Sequence, residues 1–92
     1  MIRKFKLGGI QWIVKKDNKR LDDLRLLGLC EFNSSLISIY TKNIDKNLIS
    51  QTIYHEVVHA ILESMGESDL SANDKFVQKF ALLLHQFETT KK

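Results

Sequence analysis

The stretch TIYHEVVHAILESMG, Thr52–Gly66, decides how this chain is read. Counting back to Ile49, apolar residues recur at Ile49, Ile53, Val57, Ile61 and Met65. That is every fourth position, a helical period and not a strand period. Gly66 stands where a helix C-terminus is expected, because glycine takes the left-handed backbone that ends many helices. Within the stretch, His55, Glu56 and His59 spell His-Glu-x-x-His. Residues four apart share a helix face, with Cβ atoms ~5–6 Å apart, so two imidazoles can converge on one ion at the ~2.0–2.1 Å zinc–nitrogen distance. Glu56 lies about 60° round the helix from His59, at about 100° per residue. It flanks such an ion without having to bind it, and is placed to take a proton from a water whose pKa the metal lowers toward ~7. The midpoint of the histidine pair lies opposite Val57, so the apolar stripe can pack on a sheet while the histidines face elsewhere.

A catalytic zinc usually has three protein ligands and one open position. The extended pattern with a third histidine needs glycine at 62 and histidine at 65; the chain has Leu62 and Met65. The remaining candidates are Glu63, Glu67, Asp69, Asp74 and His85. Glu63 continues the row of His55 and His59, and three ligands in one straight row surround an ion poorly. Glu67 and Asp69 fall in the turn after Gly66. Asp74 opens a second helix, whose predicted N-cap is Ser71 in a capping-box-like Ser71-Ala72-Asn73-Asp74, and whose predicted apolar face is Phe76, Val77, Phe80, Leu83, Leu84 and Phe87. His85 lies about 16 Å along that helix from Asp74, at ~1.5 Å per residue, so the two cannot share one ion.

Upstream the period is two. Residues 4–14, KFKLGGIQWIV, read as one or two strand segments with Gly8-Gly9 as a turn. Residues 17–27, DNKRLDDLRLL, read as a short helical turn or loop. Leu29–Phe32 and Leu36–Thr41 flank Asn33-Ser34-Ser35 as a hairpin. The expected fold class is therefore α+β, a minimal domain over residues 1–92 with a small antiparallel sheet packed on two helices. The strand Leu36–Thr41, just before the active helix, is expected to be an edge that pairs with an extended substrate.

The bulk numbers limit the alternatives. Ninety-two residues with 43% hydrophobic and 27% charged content are one ordinary globular domain without a linker tract. The single Cys30 excludes an internal disulfide and, as a small hydrophobe, is not expected to be a ligand. The basic, apolar start MIRKFKLGGIQWIVKK departs from a signal peptide because Lys4 and Lys6 interrupt it. No run approaches the ~20 apolar residues of a membrane span, so the expectation is a cytoplasmic protein with no membrane partner. A net charge of +3 spread along the chain lacks the dense patch of a nucleic-acid binder.

The residues YHEVVHAILESMG, 54–66, followed by NDKFVQKFALLLHQ, 73–86, resemble the small metallopeptidase-like proteins of phages and mobile elements. These are related to the ImmA/IrrE-type and, more loosely, the SprT-like zinc peptidases. The resemblance spans roughly residues 5–88 and includes LGLCEFNSSLISIYT, 27–41, as the hairpin before the active helix. It implies a minimal zincin-like fold, a Zn2+ cofactor, a protein or peptide substrate, and an acidic third ligand at Asp74 beside His55 and His59, with Glu56 as the catalytic base. Tyr40, Tyr54 and His85 are the candidate donors to a tetrahedral oxyanion. The rival expectation is a catalytically silent phage protein-binding module that keeps zinc for stability.

Overall fold

The computed structural model describes all 92 residues, Met1–Lys92. It is a compact α+β fold of four strands and four helices. Strands β1 (Lys4–Leu7) and β2 (Ile10–Lys16) form the expected hairpin. Gly8 and Gly9 make its turn at φ +56° and +81°, the two left-handed positions that tight hairpin turns give to glycine. Helix α1 (Asn18–Leu24) follows, then β3 (Gly28–Glu31). A single 3₁₀ turn over Phe32–Ser34 leads into β4 (Leu36–Ile39), which pairs antiparallel with β3 as the hairpin reading predicts.

The sheet departs from the expected topology. Its order is β1-β2-β4-β3, and β2 pairs with β4 in parallel, so the sheet is mixed. The segment read as a loop or short helical turn is the cause. Helix α1 shifts the chain sideways at the end of the sheet where β2 finishes, β3 runs back from there two positions out, and β4 returns in the gap between them in the direction of β2. Two polar ties hold this segment. Asn18 Oδ1 accepts the Thr41 N–H at 2.8 Å, and Arg20 forks onto Glu31 at 2.7 and 3.0 Å. A second consequence overturns the expected substrate edge: β4 is an interior strand, and the free edge on that side belongs to β3.

Helix α2 (Lys46–Ser64) begins where the Asp45 carboxylate accepts the Asn47 N–H at 2.9 Å. It ends on Gly66 at φ +76°, with Gly66 N–H bonded to Glu63 O and Glu67 N–H to Leu62 O. One face packs on the sheet, where Trp12, Val14, Ile37 and Ile39 meet Ile53 and Ala60, with Ile49 and Val57 at the margin. A row spaced by four drifts about 40° per step, so the stripe does not stay on one face, and Met65 at its end is exposed.

The other buried face of α2 carries Val58 and Leu62, which meet Val77 and Ala81 of α4 (Asp74–Thr90). Of the apolar face expected for this helix, Val77 is buried with Phe76 and Leu84 packed beside it, and the remainder is corrected. Val77, Ala81 and His85 are buried, whereas Phe80, Leu83 and Phe87 are exposed. Two apolar rows run side by side on α4, and the smaller residues of one allow the closer approach to α2. The connection holds a further one-turn helix, α3 (Ser68–Ser71). Ser71 belongs to it, and the N-cap of α4 is Asn73, whose Oδ1 accepts the Phe76 N–H at 3.1 Å. No helix is long and apolar enough to cross a membrane.

Candidate metal and peptide site

His55, Glu56 and His59 lie on consecutive turns of α2, as their spacing requires. The two imidazoles stand 5.0 Å apart, centroid to centroid, at 68°. Each is tied through Nδ1 to a different element. Gln78 Oε1 of α4 lies 3.0 Å from His55 Nδ1, and Ser71 Oγ of α3 lies 3.0 Å from His59 Nδ1. An amide oxygen only accepts, so His55 donates to it through Nδ1. Ligating histidines commonly donate the second ring N–H to a fixed acceptor in this way. Burial and the neighbouring His55 hold His59 below the usual imidazole pKa, which favours the neutral form that binds metal.

Glu56 occupies the sheet side of the same helix and is 8% exposed. Its carboxyl is pushed up to about 7 by burial. The neighbour that makes room for it is Gly28 at the start of β3. A Cβ there would stand 2.8 Å from Thr52 Cγ2 and 3.0 Å from Glu56 Cγ and Oε2. The absence of a side chain at 28 thus lets the helix seat a carboxyl against the strand. The sequence raised Gly8-Gly9 and Gly66 but passed over Gly28, because no local signal marks a glycine whose constraint comes from a helix more than twenty residues on.

The third position is less complete. Asp74 and Glu63 both raise the pKa of His59 through their charge, so both lie on its side of the molecule. Nevertheless, no three His, Cys, Asp or Glu side chains converge into a set that could hold an ion. Glu67 and Asp69, in the cap and first turn of α3, form no hydrogen bond or ion pair with either histidine. Cys30 is half-buried against the sheet core, and burial together with nearby Glu56 and Glu63 pushes its thiol up to about 12; it is a packing residue, as expected. The fold thus brings together two imidazoles and a flanking carboxyl, and gathers no third ligating side chain onto the pair.

A cleft of about 360 Å³ opens beside His55, Glu56 and Gln78 and runs to the α1–β3 connection at Arg25 and Leu27. A larger cavity, about 730 Å³, lies near Met1, Lys46 and Tyr54, but no His, Cys, Asp or Glu lines it. The chemistry singles out the smaller one. None of the three expected oxyanion donors lines it. His85 is buried, its Nε2 3.0 Å from Ser50 Oγ and its ring edge-on to Tyr54 at 5.2 Å. Gln78 and Ser71 are the site residues that sequence reasoning missed. The only available signal was their position four residues after and three residues before Asp74 on the returning segment.

Comparison of the chain with known protein families, with curated proteins and with solved structures finds no match.

Proposed function

We propose that this protein is a zinc-dependent peptidase of the His-Glu-x-x-His class with a minimal zincin-like architecture. The observation that carries the reading is the paired arrangement on α2. Two imidazoles have their Nδ1 atoms engaged by Gln78 and Ser71, and a buried carboxyl with a pKa near neutrality lies beside them. His55 and His59 would hold the ion, with Asp74 as the acidic ligand. A bound zinc would supply Lewis acidity toward a carbonyl and a water. Glu56 takes a proton from the attacking water and returns it to the leaving amine. A carboxyl poised near pH 7 suits both transfers. Gln78 and Ser71 hold the ring orientations. An extended substrate pairs with the free edge of β3, which starts at Gly28 next to Glu56.

One observation favours the rival reading, a zinc-stabilised binding module without turnover: the third ligand is not gathered. Elemental analysis of the purified protein tests both, with wild type, His59→Ala, Asp74→Ala and Glu56→Gln side by side. The peptidase reading expects one zinc per chain, lost with His59 or Asp74 and kept in Glu56→Gln, together with peptide hydrolysis that Glu56→Gln abolishes. Zinc kept in Asp74→Ala would move the third ligand elsewhere. Zinc bound without hydrolysis of any peptide would select the binding module.

A further inference from the structure

The α1–β3 connection forms the far wall of the cleft, and its backbone is unusual. Helix α1 ends with Arg25 N–H bonded to Asp22 O at 3.1 Å and Leu26 N–H bonded to Leu21 O at 2.9 Å. Arg25 itself is left-handed, at φ +58°. This is the helix-ending motif in which that position is ordinarily glycine, because a Cβ there is sterically costly. Folding alone would be served better by glycine at 25. An L residue held in a strained backbone beside a reactive pair is a pointer to function.

The side chain also has no partner in the fold. The ion pairs of the molecule are Arg20–Glu31 and Lys91–Glu88, so Arg25 bonds to neither Asp22 nor Asp23 of its own helix. It is the one cation lining the cleft, facing a wall whose only carboxyl is the buried Glu56. Around it, Leu26, Leu27 and Leu48 line the same cleft at 40%, 43% and 40% exposure. Three large apolar side chains left partly open at one cleft mark a binding surface.

We infer that this cleft selects extended peptide segments carrying an acidic side chain, read by Arg25, close to a bulky apolar side chain seated on Leu26, Leu27 and Leu48. The inference rests on the peptidase reading for the location of the substrate, and it adds the substrate class. The guanidinium is suited to the role because its planar fork matches a carboxylate with two parallel hydrogen bonds.

The test uses fluorescein-labelled decapeptides identical except at two adjacent central positions: Glu-Leu, Lys-Leu and Glu-Ser. Binding to zinc-supplemented Glu56→Gln protein is read by anisotropy, alone and combined with Arg25→Gly or Leu48→Ala. The Glu-Leu peptide is expected to bind about fivefold more tightly than Lys-Leu, the scale of one exposed ion pair, and more tightly than Glu-Ser. Arg25→Gly should erase the preference for Glu while leaving the melting temperature unchanged or higher, since glycine suits the left-handed position. Leu48→Ala should erase the preference for Leu. Equal binding of Glu-Leu and Lys-Leu, or a preference that survives Arg25→Gly, overturns the inference. Hydrolysis of the same peptides by wild type reports separately on the peptidase reading. Turnover without selectivity sinks the inference alone, selective binding without turnover sinks the reading alone, and neither binding nor turnover sinks both.

Discussion

Two histidine clusters sit between α2 and α4, and they differ in their surroundings. At one end, His85 is 5% exposed, its Nε2 is tied to Ser50 Oγ, and its ring edge is against Tyr54. The cavity beside it is lined by no carboxylate. At the other end, His55 and His59 use only Nδ1 for hydrogen bonds, stand 5.0 Å apart, and have Glu56 alongside. Both clusters use neutral partners from other elements: Ser50 of α2 for His85, Gln78 of α4 for His55 and Ser71 of α3 for His59. What separates them is exposure and company: His85 is buried against Tyr54, whereas His55 and His59 stand as a partly exposed pair with a carboxyl alongside, the arrangement the proposed metal site needs.

The strongest way to break this comparison is to exchange the roles by mutation. His59→Ala is expected to abolish stoichiometric zinc binding and, because it leaves the buried Ser71 hydroxyl without its partner, to cost the chelated protein about 1–2 kcal/mol. His85→Ala is expected to keep zinc but cost about 2–4 kcal/mol, since it leaves a cavity where a buried ring packs and takes the partner from the half-buried Ser50 hydroxyl. Zinc titration and denaturant unfolding on the two variants decide it. A His85→Ala protein that loses zinc, or a His59→Ala protein that unfolds, would place the two clusters in the wrong roles.

Glu56 supplies the next largest effect. Burial raises its carboxyl from 4.5 to about 7, so between those values the folded chain binds a proton that the unfolded chain has released. Stability therefore falls as pH rises across that window. The penalty is absent below 4.5 and complete above about 7, where it reaches about 3 kcal/mol. Glu56→Gln removes it. In chelator, the variant should match wild type near pH 4 and exceed it increasingly up to pH 7, as read by urea midpoints. A flat difference across pH would mean that the carboxyl is solvated. The buried carboxyl costs the fold stability, which is the trade that its proposed role as a base would entail.

Gln78 sharpens the same contrast at smaller scale. Gln78→Ala leaves His55 Nδ1 without its acceptor, and zinc affinity should fall about 10–100-fold while the fold persists. Nitrogen NMR of the metal-free protein gives an independent readout, since the His55 ring should lose its single Nδ1–H tautomer. Gln86→Ala, on the same helix beside His85, should move neither.

Much of this arrangement can be read in the sequence where the cause is local. The helix carrying the Ile49–Met65 stripe, its end at Gly66, the Gly8-Gly9 turn and the hairpin around Asn33 all follow from period and turn chemistry. His-Glu-x-x-His needs nothing more than a helix to put its residues on adjacent faces. What was misread depends on elements distant in sequence. Strand β4 is interior because α1 sets β3 two positions out from β2 and β4 turns back into the gap, and no residue within Leu36–Thr41 records that. The row Phe76, Phe80, Leu83 and Phe87 is the bulkier of two on α4, yet α2 covers the other. Gly28 matters only because Glu56 arrives against it.

The start of α4 gives the smallest effect and separates two jobs that the sequence merged in one residue. Ser71 reads as the N-cap, but Asn73 accepts the Phe76 N–H at 3.1 Å, while Ser71 is buried with its hydroxyl on His59. Removing the cap should cost about 1 kcal/mol, so Asn73→Ala is expected to lower the urea midpoint. Because the same turn carries Asp74, that substitution should also loosen the approach of this carboxylate to His59. Ser71→Ala leaves the cap intact and should act through His59 on zinc affinity, with little change in the helicity of α4. Hydrogen exchange at the Phe76 and Val77 amides reports the helix start, and zinc titration reports the histidine. If Ser71→Ala accelerates exchange at Phe76 as much as Asn73→Ala does, the capping assignment reverts to Ser71, and the division between packing and ligand roles fails at this end of the site.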